Sequence, residues 1–234
     1  MNIHYITYAT HSTGMFEQLI HNKFNIKITI LGWGTKWKGF LDKIKGILEY
    51  SKTVSKKDII VFLDGFDTII HKDPYNIEKL FKSFNCDILV SEHPIFINRY
   101  IMKKIFGSGK NGVIANAGLF MGYAYKIKEL CELILDTHIS DDQRALNTVL
   151  NKFNLKIDTN NIIFKNDIYN KNVKTNALFV SYPGGSNGSI KFKLNRYIRA
   201  FFEYGHFFKL EISLILIILL LFLIIYSTYL LNKN

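Results

Sequence analysis

Apolar and polar positions along this chain alternate between two periods. Ile3 to Thr10 alternates residue by residue and predicts a first strand, ending at Thr7-Tyr8-Ala9-Thr10. A helix is expected from about Gly14 to His21 and a second strand from Lys27 to Leu31. The loop Gly32-Trp33-Gly34-Thr35-Lys36-Trp37-Lys38-Gly39 follows. Phe40 to Val54 has helical spacing, with Ile44, Ile47 and Leu48 on one face. Ile59-Ile60-Val61-Phe62-Leu63 is apolar throughout, as a strand buried on both faces is, and it stops abruptly at Asp64-Gly65-Phe66-Asp67. Helices are predicted over Asn76–Phe84, Ile127–Thr137 and Asp141–Phe153, and strands over Asp87–Ser91 and Leu178–Ser181. Gly112 to Gly122 is apolar and glycine-bearing. Strands alternating with helices predict an α/β fold class with a mostly parallel sheet.

The C-terminal pattern is of another kind. Ile212 to Leu231 carries no charge, and Leu214 to Ile225 is wholly apolar. About 20 such residues cross a bilayer as a helix. Tyr226 and Tyr229 sit near one end, as interface aromatics do. The expected organisation is a globular domain over residues 1–200, a basic juxtamembrane segment over 201–211 and a transmembrane helix over 212–231. Lys191, Lys193, Arg196, Arg199 and Lys209 precede the apolar run, and only Lys233 follows it. That bias places the globular domain on the cytosolic side, and the N-terminus has no signal-peptide pattern.

Composition changes this picture little. The net charge of +11 admits nucleic acid, anionic lipid or a phosphorylated small molecule as partner. No nucleic-acid motif accompanies the scattered lysines, so nucleic acid is not expected. Cys86 and Cys131 lie in apolar segments without metal-ligand spacing and read as reduced core thiols.

Four features carry candidate chemistry. Two carboxylates, Asp64 and Asp67, at the carboxyl end of a buried parallel strand suit a hard divalent cation shared with a diphosphate. Solvated turn acids are the plainer alternative. A dehalogenase-like phosphatase would need its two acids at a spacing of two, and here the spacing is three. Asp141-Asp142-Gln143 opens a predicted helix; an N-cap is the plain reading, a base for an acceptor hydroxyl the functional one. Pro183-Gly184-Gly185-Ser186-Asn187-Gly188-Ser189-Ile190-Lys191 is either a flexible hairpin or a loop whose backbone and lysine meet an anion. Asn116, polar in the apolar run Ala115–Gly122, either caps a turn or bonds a sugar hydroxyl. Trp33 and Trp37 are candidates for ring stacking, although core packing is the expectation for a lone tryptophan.

In combination these segments resemble the glycosyltransferase domain of the procollagen lysyl hydroxylases, from about Ile3 to Tyr197. Leu31-Gly32-Trp33-Gly34-Thr35-Lys36-Trp37 resembles that family's Leu-Gly-x-Gly-x-x-Trp loop, and Lys43-Ile44 its Lys-Val. Phe62-Leu63-Asp64-Gly65-Phe66-Asp67 resembles the metal motif Phe-x-Asp-x-x-Asp. Asn116-Ala117-Gly118-Leu119-Phe120-Met121-Gly122 is similar to Asn-Ser-Gly-Gly-Phe-Ile-Gly. Asp141-Asp142-Gln143 resembles the acidic catalytic segment, and Asn187-Gly188-Ser189-Ile190-Lys191 the segment Asn-Gly-Pro-Thr-Lys.

The resemblance implies a GT-A-like fold and transfer of a sugar from a UDP-sugar to an acceptor hydroxyl. Asp64 and Asp67 would hold Mn²⁺ or Mg²⁺. Thr7, Thr10, Trp37, Lys43, Asn116, Gly188 and Lys191 would bind the nucleotide sugar, and Asp141 and Asp142 would serve the acceptor side. The chain departs from the family at Gly185, where the family places a third metal ligand, a histidine. That departure keeps open a rival reading, a catalytically weak nucleotide-sugar-binding module tethered to a membrane. A metal phosphohydrolase is a third.

Overall fold

The computed structural model describes residues 1–94, 99–167, 174–183, 194–195, 198 and 201–231. The chain divides into two compact units, Met1–Asn187 and Gly188–Asn234.

In the first unit the strands are β1 (Ile3–Tyr8), β2 (Ile28–Leu31), β3 (Ile59–Leu63), β4 (Thr68–Ile70), β5 (Ile88–Glu92), β6 (Ala115–Tyr123), β7 (Leu155–Asp158), β8 (Phe164–Asn166) and β9 (Phe179–Ser181). The helices are α1 (Phe16–Ile20), α2 (Leu41–Ser51), α3 (Ile77–Ser83), α4 (Arg99–Phe106), α5 (Ala124–Asp136) and α6 (Asp142–Val149). Six strands form the main sheet in the order β2-β1-β3-β6-β5-β7. Every pairing is parallel except those of β6, which runs antiparallel to both β3 and β5. A mostly parallel α/β sheet is therefore present, as expected.

β3 shows how the sequence makes this architecture. All five of its residues are buried, and successive side chains of a strand point to opposite faces. Ile60 and Phe62 join one apolar cluster with Ile44 and Ile47 of α2, Ile127 and Leu130 of α5, and Leu146 and Val149 of α6. Ile59, Val61 and Leu63 join a second cluster with Leu19, Ile77, Phe81 and Phe179. A three-stranded sheet, β4-β9-β8, contributes to that second cluster through Ile70, Phe164 and Phe179. A strand covered on both faces gains nothing from alternation, hence the unbroken apolar run.

Several elements exceed the expectations from sequence. β4, α4, β7 and β8 were not anticipated, and Gly112–Gly122 proves to hold the long strand β6. The helix expected over 141–153 is α6 followed by a 3-10 turn, Leu150–Lys152. Cys86 and Cys131 are buried free thiols, as expected. Burial pushes the Cys86 thiol up to about 11 and Cys131 higher still, which keeps both unreactive near neutrality.

In the second unit, a helix spans Lys209–Leu231 after a 3-10 turn at Gly205–Phe208. The run Phe201–Tyr229 is long and apolar enough to cross a membrane, and none of its most apolar stretch is buried in protein. A helix apolar on all sides and unburied is a candidate membrane anchor.

Candidate active site

The direction of β6 builds the site. Because β6 runs against β3, its amino end lies beyond the carboxyl end of β3, with Leu63 opposite Leu119. Asn116 and Gly118 therefore stand beside Asp64. The Asp64 backbone N–H donates to the Gly118 carbonyl at 2.8 Å. One Asp64 carboxylate oxygen, Oδ1, accepts the Phe66 N–H at 3.2 Å. An aspartate bonding the backbone two residues on turns the chain sharply. The turn is tied down on both sides: Met15 N–H donates to the Phe66 carbonyl and Tyr182 N–H to the Asp67 carbonyl, each at 2.8 Å. Gly65 is required there, since a Cβ would come within 2.8 Å of Thr7 Oγ1 and 3.0 Å of the Tyr8 carbonyl.

Asp64 and Asp67 are both half-buried at this turn. No cluster of three or more His, Cys, Asp or Glu side chains occurs among the described residues. Two carboxylates are hard oxygen donors, which fit a hard dication whose other ligands are phosphate oxygens and water. Gly185, Gly188 and Lys191 lie outside the described residues.

The second acidic segment is held differently. Asp141 caps α6, its Oδ1 accepting the Arg144 N–H at 2.7 Å. Asp141 is thus the N-cap of α6, as the plain reading has it. Asp142 is buried and ion-paired with buried Lys43, Nζ to Oδ2 at 2.5 Å. Lys43 Nζ also donates to the Ala117 carbonyl at 3.4 Å and lies 5.8 Å from the centre of the Phe62 ring. Burial alone pulls the Lys43 ammonium down. The charges of Asp142, then Asp64 and Asp141, more than reverse this, so its pKa stands above the ordinary lysine range. The Asp64 turn, α2 and the start of α6 thus share one electrostatic site.

Asn116 is fully engaged. Its Oδ1 accepts the Gly118 N–H at 2.8 Å and its Nδ2 donates to Gln143 Oε1 at 3.1 Å. Gln143 Nε2 lies 3.1 Å from His93 Nδ1. Asn147 clamps α6 to the edge of β6 through Ala115 N–H and carbonyl, both at 2.9 Å. Gln143 was quoted from the sequence only as part of a motif, and His93 was not singled out. His93 directly follows β5, but Ser91 and Glu92 separate it from the apolar stretch Ile88–Val90, so no apolar run points to it.

Of the other expected nucleotide-binding residues, Thr7 lies under the turn, fully buried, with its hydroxyl donating to the Leu63 carbonyl at 2.7 Å. Thr10 closes the aromatic loop, its carbonyl accepting the Gly34 N–H at 3.0 Å. Both tryptophans are exposed, Trp33 at 53% and Trp37 at 42%, so core packing is not their role. Trp33 stacks on Phe16 with ring centres 5.1 Å apart. Trp37 stands edge-on to Tyr8 at 5.8 Å and to Phe40 at 6.0 Å. Gly32, at φ +75°, lets the Tyr8 ring pass where a Cβ would sit 2.4 Å away. The result is an aromatic surface beside the carboxyl end of β1.

Comparisons with known proteins identify the family. The model of the PLOD GT domain matches residues 1–179. The chain is similar to procollagen-lysine,2-oxoglutarate 5-dioxygenase 1 of Gallus gallus, 25% identical over 186 residues that cover 70% of this chain and 25% of the relative. It is also similar to the procollagen-lysine,2-oxoglutarate 5-dioxygenase of Drosophila melanogaster, 28% identical over 226 residues that cover 82% of this chain and 31% of the relative. The chain thus spans about a quarter to a third of the length of these relatives. That family model spans well over half of the chain, and the chain belongs to the PLOD glycosyltransferase-domain family.

Proposed function

We propose that this GT-A-like domain transfers a sugar from a UDP-sugar to an acceptor hydroxyl, with Asp64 and Asp67 holding Mn²⁺ or Mg²⁺. The observation that carries the reading is the convergence, within a PLOD GT domain, of a two-carboxylate turn with a buried lysine, Lys43, whose charge is felt at that turn. When bound, the metal supplies Lewis-acid charge against the departing diphosphate. The chain's own residues bind and orient. Trp37, with Tyr8 and Phe40 behind it, offers a face for the uracil ring, and Thr10 fixes the loop that carries it. Asn116 holds the strand edge beside the sugar. Asp141 and Asp142, at the start of α6, form the acceptor side, with Lys43 ion-paired to Asp142. Gly188 and Lys191 would complete the diphosphate side.

The C-terminal helix would anchor the domain to a membrane. The basic residues that precede it support a cytosolic globular domain. The acceptor class is open to test, from hydroxylysine-type peptides to glycans. The experiment is a donor screen of the full chain in nanodiscs with Mn²⁺, reading UDP release with and without acceptor.

A second reading, a nucleotide-sugar-binding membrane tether of low activity, is favoured by Gly185 at the position of the family's third ligand. Metal-dependent UDP binding without turnover on any donor would select it. Release of phosphate without a sugar acceptor would select a phosphohydrolase instead.

A further inference from the structure

The polar groups around the Asp64 turn close into a ring, and one side chain stands behind it. Starting at Asp64, the ring runs through the Gly118 peptide to Asn116, to Gln143, to its chain neighbour Asp142, to Lys43, and back to the charge of Asp64. His93 lies behind the two amides. Its Nδ1 is 3.1 Å from Gln143 Nε2 and 3.4 Å from Asn116 Nδ2. Its ring packs on Phe106 of α4 at 5.1 Å, and its backbone N–H donates to the Ile114 carbonyl at 2.8 Å. A shift of register between Val90 and Ser91, where β5 pairs with β6, sets the approach of His93 to this position; such irregularities re-aim side chains near active sites.

Donor counting fixes the imidazole. The Gly118 N–H can only donate, so it claims Asn116 Oδ1 and turns the Asn116 amide nitrogen the other way. That nitrogen donates to Gln143 Oε1, which turns Gln143 Nε2 toward the histidine. Two N–H₂ groups therefore face Nδ1, which must be a lone pair, and the ring proton sits on Nε2.

We propose that His93 is a positioning residue: as the Nε2–H tautomer it accepts from Gln143 and Asn116, and so fixes the start of α6, with Asp141 and Asp142, against the Asp64 turn. The functional half of this inference rests on the transferase reading above; the tautomer half does not. Without the acceptor, two amide donors face each other across an apolar gap and the Gln143 side chain swings. The first turn of α6 then loses its tie through Gln143, although Asn147 still holds the helix to Ala115, while the Asp64–Asp67 turn, anchored by Met15 and Tyr182, stays in place.

The test uses full-length chain in nanodiscs with ¹⁵N-histidine labelling, wild type and the variants His93→Leu and His93→Asn. Ring ¹⁵N shifts read the tautomer, UDP titration with Mn²⁺ reads donor binding, and UDP release reads kcat and KM. Asn places an acceptor oxygen close to where Nδ1 stands. The expected results are an Nε2–H ring in the wild type and a roughly 10- to 100-fold fall in kcat for His93→Leu. Donor KM and Mn²⁺–UDP binding are expected to move by less than about threefold, with kcat largely restored in His93→Asn. An Nδ1–H ring overturns the proposal whether or not the protein has activity. So does a His93→Leu variant with wild-type kcat, a His93→Asn variant as impaired as His93→Leu, or kcat and donor binding falling in parallel with thermal stability. If His93→Leu does not fold, the ring shifts and His93→Asn still decide. A wild type that binds Mn²⁺–UDP with the expected tautomer yet turns over no donor overturns the transferase reading alone.

Discussion

The two acidic segments at the carboxyl edge of the main sheet carry similar residues and are held in opposite ways. Asp64 and Asp67 sit half-buried on a turn whose backbone is anchored from three sides, while Asp64 gives one oxygen to a local N–H. Asp141 and Asp142 open a helix, one consumed as its cap and the other buried against Lys43. The shape of the first turn is fixed largely through its backbone. A carboxylate already matched to a buried ammonium has its charge answered within the fold. In the proposed reading the first segment binds the cation and the second holds a surface in register with it.

Breaking the Lys43–Asp142 pair should have the largest effect. Lys43→Met leaves a buried carboxylate unanswered, an outcome that costs about 3–5 kcal/mol. The double variant Lys43→Met/Asp142→Leu should recover much of that loss, because it removes both charges. Urea unfolding of the three proteins measures it. If Lys43→Met alone is as stable as wild type, Asp142 is not held as described. The raised Lys43 pKa also sets the sign with pH. The pair's contribution is complete below the ordinary lysine range and is lost as pH rises through the higher folded-state value.

The metal turn should respond in activity rather than stability. Asp64→Asn or Asp67→Asn keeps shape and removes charge. Turnover should fall about 100- to 1,000-fold, with thermal midpoints close to wild type, as loss of one electrostatic contact to a developing charge does elsewhere. Mn²⁺ titration followed by UDP release measures it. An Asp67→Asn protein with normal turnover removes the metal role from this turn. The contrast between the two segments would then vanish.

Gly118 lies between the segments and sharpens the distinction. A Cβ there would meet Asn116 Oδ1 at 2.9 Å and Asp64 Cβ at 3.5 Å. The amide has to move, and overpacking of this sort costs about 1–3 kcal/mol. Gly118→Ala should therefore disturb the Asn116–Gln143–His93 contacts more than it disturbs metal binding. The His93 ring ¹⁵N shifts and a Mn²⁺–UDP titration, read on the same sample, separate the two.

Much of this arrangement is legible in the sequence, and what is not has a physical cause. β3 announces itself because burial on both faces forces an apolar run, and Asp64 marks its end. The N-terminus of α6 is legible because acids there serve the first helical N–H groups. β4 and β8 span three residues each, too few for a period to show. β7 is a four-residue edge strand, Leu155-Lys156-Ile157-Asp158, whose alternation is too short to stand out. Lys43 and Asp142 are each visible as charges, yet their pairing joins residues far apart in sequence, which no local pattern encodes. His93 likewise finds its partners 23 and 50 residues further on. The exposure of Trp33 and Trp37 depends on the Gly32 backbone at φ +75° and on Tyr8 filling the space beneath, facts of conformation rather than composition.

A third acid, at the opposite end of the same strands, tests whether position matters in its own right. Asp58 precedes β3 at its amino end. Its Oδ1 accepts the Asn2 N–H at 2.8 Å and its Oδ2 lies 3.1 Å from His4 Nε2. The Asn2 N–H first, and His4 after it, hold the Asp58 carboxyl below the usual carboxylate range. A depressed folded-state value contributes stability that is complete above the unfolded-state value, about 4 for aspartate, and is lost as pH falls through the folded one. Asp58→Asn should therefore flatten the acid limb of the stability profile below about pH 4. Turnover at neutral pH should stay unchanged, since the substitution lies at the far end of the strands from the Asp64 turn. Urea midpoints at a series of pH values, alongside UDP release at pH 7, measure both. If Asp58→Asn lowers turnover as Asp64→Asn does, the carboxyl edge of the sheet has no special claim to the chemistry. An unchanged acid limb would mean instead that the contacts of Asn2 and His4 with Asp58 contribute nothing to the fold.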